Sequence, residues 1–121
     1  MPEAAAPIVW SCRDILAPFR WAPGAVARVA PDLFEPELRG KFRDEVFATM
    51  ALCAKLRFEL RTAHPGAYQE FVRIIAEDRR EYLAWRASAA TILRKLGRDH
   101  EASGPGPQWP LGNVALVDQG S

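Results

Sequence analysis

Between Glu35 and Leu96 the apolar residues recur at helical spacing with little interruption. Leu38, Phe42, Val46, Thr49, Cys53, Leu56 and Leu60 follow one another in steps of three and four. That spacing keeps one stripe on one side of a helix. Phe47, Met50, Ala54 and Phe58 widen the stripe, and Leu52 lies beside it. Pro36 stands at a first helical position, where its missing N–H costs nothing. His64 precedes Pro65, and the residue before a proline is pushed away from helical geometry. The "AHPG" stretch is therefore expected to end this helix. A second one begins near Pro65, with Tyr68, Phe71, Val72, Ile75, Tyr82, Leu83, Ala89, Ala90, Leu93 and Leu96 as its apolar face. The Asp78–Glu81 charges interrupt that face and predict a kink or a solvated turn. Arg94 and Lys95 in the last turn, with Gly97 just beyond, supply its end.

This pattern predicts an all-α fold. Residues 35–97 form an antiparallel hairpin of two long helices, each ~40–45 Å at helical rise. Residues 1–34 are rich in Pro and Ala and are expected to wrap the hairpin irregularly. Within them "SCRDIL" predicts one short helix, capped by Ser11 with Asp14 at its third position and broken by Pro18, Pro23 and Gly24. "APIVW" before it is expected to lie extended on the core. Residues 98–121 form a Gly/Pro linker and an apolar tail. Two helices cannot cover two apolar faces this wide, so a second copy is expected to complete a four-helix-bundle homodimer.

A chain of 121 residues with formal net charge +1 makes one domain without the basic stripe that holds proteins to nucleic acid. Nucleic acid is not an expected partner on these grounds. Arg39, Lys41 and Arg43 begin the first helix, while Arg79, Arg80 and Arg86 lie on the second. The hairpin would bring Arg86 toward Asp44 and Glu45 as a register-setting ion pair; a nucleic-acid-binding regulator using these arginines is the third functional alternative. The longest uncharged central window, Val46 to Ala54, falls well short of the ~20 residues of a spanning helix. The opening "MPEAAAPIVW" carries an acid where a signal peptide carries bases. No membrane association and a cytoplasmic location are the expectation.

Catalytic and metal-binding sets are not found. Cys12 and Cys53 match no metal spacing and read as structural thiols. Di-iron hairpins need a Glu-x-x-His on one helix. Here the first helix carries Glu45 and Glu59 and the second "EDRREY", but no Glu-x-x-His occurs, and Glu77, Asp78 and Glu81 are expected to be solvated or ion-paired. His64 and His100 are the two histidines, too few for a tetrahedral zinc set. Ser11, Ser88, Ser103 and Ser121 lack a nucleophile-elbow context, and "GPGP" lacks the lysine of a phosphate loop. The chain is thus expected to be no enzyme and to hold no cofactor and no metal. The second functional alternative is a small helical bundle that binds a metal or cofactor across a dimer, through Cys53, His64, Glu45 or Glu59.

Trp10, Trp21 and Trp109 fall outside the predicted helices. Tryptophan is costly to leave in water and anchors interfaces. Trp109 follows alternating Gly and Pro and precedes Leu111, Val114, Ala115, Leu116 and Val117. Disordered tails are normally poor in aliphatics, so this one is expected to dock on its own domain, on a dimer mate or on another protein, with Val114–Val117 able to add a strand to a sheet edge. Trp109, Leu111, Val114, Leu116, Val117, Trp10 and Trp21 are the expected partner-binding residues. The function they suggest is a non-catalytic interaction protein: an adaptor, an accessory subunit or an inhibitor of another protein.

Overall fold

A computed structural model describes residues 6–104 and 106–117 of the chain; Ser121 and the first residues of the N-terminal segment lie outside them. Leu56, Phe58 and Leu60 point inward while Arg57 and Glu59 alternate outward, and this alternation is that of a strand. The first predicted helix therefore stops early. It runs as α1 from Gly40 to Leu52, Cys53 ends it, and the chain continues as strand β3, Arg57–Leu60. Two shorter runs, β1 (Ile8–Trp10) and β2 (Val26–Val29), precede it, and β4 (Val114–Leu116) follows near the C-terminus.

These four strands form one parallel sheet in the order β1-β2-β3-β4. The fold is α/β, which corrects the all-α hairpin. The wide apolar stripe that seemed to need a second copy is covered instead by the chain's own sheet, so the four-helix bundle falls with the hairpin. Trp10, Ala27, Val29, Phe58 and Leu60 point from the sheet into the core, where they meet Val46, Phe47 and Met50 of α1 together with Ile75 and Trp85.

The second helical region is broken at Asp78, where the charge cluster interrupts its apolar face. Helix α2 spans Pro65–Glu77 and α3 spans Arg79–Lys95. Asp78 is extended, and its carboxylate accepts the N–H groups of Arg80 (2.9 Å) and Glu81 (3.2 Å). Such a cap contributes about 1 kcal/mol. The other end of α3 closes on Gly97, at φ +74°. Its N–H donates to Arg94 O (3.0 Å) and that of Arg98 to Leu93 O (2.8 Å), the double bond of a left-handed glycine cap. Helix α3 packs on both α1 and α2, and a short α4, Asp99–Ala102, follows it.

The "SCRDIL" segment does not start a helix at Ser11. Cys12 has φ +66°, and Asp14 accepts the N–H of Leu16 through its side chain (3.0 Å). A single 3-10 turn, Ala17–Arg20, then takes in Pro18 rather than being broken by it. Among the described residues no helix is long and apolar enough to cross a membrane.

Candidate functional site

In a sheet ordered 1-2-3-4 the chain never reverses direction of travel. The crevice where open α/β sheets usually bind ligands arises at such a reversal, so this topology builds none. What it leaves instead, among the described residues, is a sheet face without helices and two strand edges. On that face the parallel register aligns Val9 of β1, Arg28 of β2, Glu59 of β3 and Ala115 of β4 in one row. Val9 is 68% exposed. Arg28 and Glu59 form the ion pair at the centre of the row, Nε to Oε1 at 3.7 Å, and Arg28 Nε is shielded from water without a hydrogen bond.

The two edges differ. In β4 the N–H of Val117 donates to Leu60 O and Asn113 O accepts from Phe58 N–H, both at 2.8 Å. Parallel geometry then turns the N–H and C=O of Val114 and Leu116 away from β3. Leu116 is also 37% exposed. On the β1 edge only Val9 turns its backbone outward in this way, and Pro7 just before the strand has no N–H to offer.

The tryptophans sit in the protein's own core. Trp10 is 3% exposed, donates through Nε1 to Asp14 O (3.1 Å), and packs on Trp21 and Phe58. Half-buried Trp109 donates through Nε1 to Val72 O (3.1 Å) and fits among Phe47, Phe71 and Trp85. The Trp109–Pro110 peptide bond is cis. Leu111 and Val114 also pack against the core. The linker before Trp109 is held along α3: Arg86 donates to Gly104 O (2.7 Å) and Tyr82 to Pro107 O (3.5 Å). Arg86 therefore serves the linker, in place of the ion pair with Asp44 and Glu45 that the hairpin implied.

A further group gathers at the carboxyl ends of β2 and β3. One ligand atom each from Asp32, Glu35 and His64 lies within 4.8 Å of the others. Sequence reading missed this meeting, because it assigned Asp32 to the N-terminal wrap and His64 to the far end of the hairpin. Asp32 is already committed. Its Oδ1 accepts the N–H of Phe34 and its Oδ2 that of Ala63, each at 2.9 Å. Burial would raise this carboxyl, but donation from Thr62, Ala63 and Phe34 outweighs burial and holds it below the usual range. His64 heads α2, where the helix dipole repels cations. The group thus joins two loops, and its remaining contact is His64 to Glu35 at 3.7 Å.

The other candidates disperse. Cys53, His64, Glu45 and Glu59 do not come together among the described residues. Burial pushes the thiols of Cys12 and Cys53 up to about 12, so both stay protonated and unreactive near neutral pH. Glu77 pairs with Arg73 at 2.7 Å, and His100 is exposed on α4. No family model matches the chain, and no curated protein or solved structure is measurably similar to it.

Proposed function

We propose that this chain is a non-catalytic protein-interaction module that accepts an extended segment of another protein along the free edge of β4. The observation that carries the reading is the outward-facing backbone of Val114 and Leu116, on an edge with no proline or charged residue among the strand's three positions. Bare edges of this kind take up extended peptides by adding a strand. Exposed Leu116 would meet an apolar residue of the incoming segment, while Val114 and Trp109 stay engaged in the core and hold β4 in place. Buried cysteines, dispersed serines, and an Asp32–Glu35–His64 group whose Asp32 is already bonded to backbone N–H groups favour binding over chemistry.

Leu116→Pro tests the reading. Its lost N–H takes no part in the β3 ladder, and edge strands tolerate proline on that side. The variant is expected to fold as wild type by circular dichroism and to lose the partner captured from the native source. In the wild-type complex the amides of Val114 and Leu116 should gain protection from hydrogen exchange. Capture that survives the substitution, or amides that exchange as before, would rule the β4 edge out.

A further inference from the structure

All-parallel sheets are almost always covered on both faces, yet among the described residues this one carries helices on a single side. The uncovered side holds the row Val9, Arg28, Glu59, Ala115, set by the strand register. The row has a symmetry that its composition alone conceals. A twofold axis running parallel to the strands, midway between β2 and β3, lays β3 of a second copy over β2 of the first. Arg28 of each copy then faces Glu59 of the other, and Val9 of each faces Ala115. The alternative in-plane axis, along the row itself, would set Arg28 on Arg28 and Glu59 on Glu59. Along this row only the first arrangement sets charge on opposite charge and apolar on apolar; in the neighbouring row it sets Arg57 of each copy over Val26 of the other. It would also give the shielded, unbonded Arg28 Nε a second carboxylate within reach.

We propose that the uncovered sheet face binds a second copy of this chain, face to face, about the axis parallel to the strands. This surface is separate from the β4 edge, and neither reading depends on the other. Strands of three and four residues make a small face, so the dimer is a weak one, below the ~800 Å² per partner of stable complexes. Its central contacts are ionic and only partly buried in each copy, so salt opposes it.

The experiment is sedimentation velocity on the full chain from about 10 μM to about 1 mM, a span suited to weak pairing, at low and high salt. Wild type is expected to pass from monomer to dimer with concentration, and less so in high salt. Arg28→Glu and Glu59→Arg each place like charges opposite one another in the dimer, and each alone should weaken it by about tenfold or more. Mixed together, the two variants should form a heterodimer, because each introduced charge then faces its opposite across the axis. A role confined to the Arg28–Glu59 pair within one chain predicts no such recovery, since both variants keep like charges side by side. Val9→Glu, at a position that contributes nothing to the core, should also weaken the dimer and guards against misfolding of the other two. A wild type that stays monomeric throughout, or a mixture that stays monomeric, overturns the proposal. Leu116→Pro is expected to dimerise normally, which separates this outcome from failure of the β4-edge reading.

Discussion

The indole of Trp109 lies 4.9 Å from that of Trp85, the rings inclined at 69°. Trp85 is fully buried on α3, and Trp109 comes from the segment that leads into β4. This contact joins the helical layer to the last strand of the sheet. Trp109→Ala would empty a space bounded by Phe47, Phe71 and Trp85 and break the bond to Val72. A loss of about 3–5 kcal/mol is expected, read by urea unfolding. A loss under about 1 kcal/mol, the range of surface substitutions, would mean that Trp109 does not pack as described.

Asn113 closes the C-terminal end of α1. Its Nδ2 donates to Met50 O (2.9 Å), a last-turn carbonyl that helix geometry leaves without a partner, and to Cys53 O (3.1 Å), which also accepts the N–H of Leu56. Asn113→Ala is expected to cost about 1–2 kcal/mol. Asn113→Asp should cost at least as much, because a carboxylate cannot donate to either carbonyl. If the aspartate variant matches wild type at neutral pH, the amide is not bonded there.

Asp32 ties the loop after β2 to the loop after β3. Its carboxyl is held below its ordinary range, so its contribution is present above the unfolded-state value and is lost as pH falls through the lower folded-state value. Asp32→Ala should remove about 1–2 kcal/mol near neutral pH and flatten the acid limb of a stability–pH curve. An acid limb identical to that of wild type would show that Asp32 carries no such linkage.

Asp44 behaves in the opposite sense. Burial, and then the neighbouring charge of Glu81, raises its carboxyl. The folded protein therefore holds this proton more tightly than the unfolded chain, and stability falls as pH rises through the folded-state value. Asp44→Asn is expected to raise the melting temperature at neutral pH, with the gain shrinking in acid. A variant less stable than wild type at pH 7 would contradict that placement.

How far the chain could be read without its structure depended on the length of each element. Helix α3 is long and its ends are marked by Asp78 and Gly97, so its C-terminal cap was legible from Arg94, Lys95 and Gly97. Pro65 marked the start of α2 equally well. The strands are three or four residues long, too short for alternation to stand out. Leu56 and Leu60 are four apart, which is one helical turn and also two strand steps, so the helical stripe ran on through β3 unchecked. Phe58 between them, flanked by Arg57 and Glu59, was the signal of a strand. Of the candidate site, the apolar character of Val114–Leu116 was visible. The Arg28–Glu59 row was not, because it exists only once β2 and β3 are in register. The meeting of Asp32 with His64 has the same cause: it depends on two strands being neighbours.

The sequential strand order also fixes when the domain can become whole. Each strand joins the edge left by the one before it, so β1, β2 and β3 can associate while the later chain is still being made. Strand β4 must wait for α2, α3 and α4, and pairing Leu116 with Leu60 closes a loop of about 55 residues, a slow long-range step in folding. Until residue 117 has left the ribosome, the β3 edge is bare and the hollow beside Trp85 is unfilled. A nascent chain in that state carries at β3 the same kind of unpaired parallel edge that β4 carries in the folded domain.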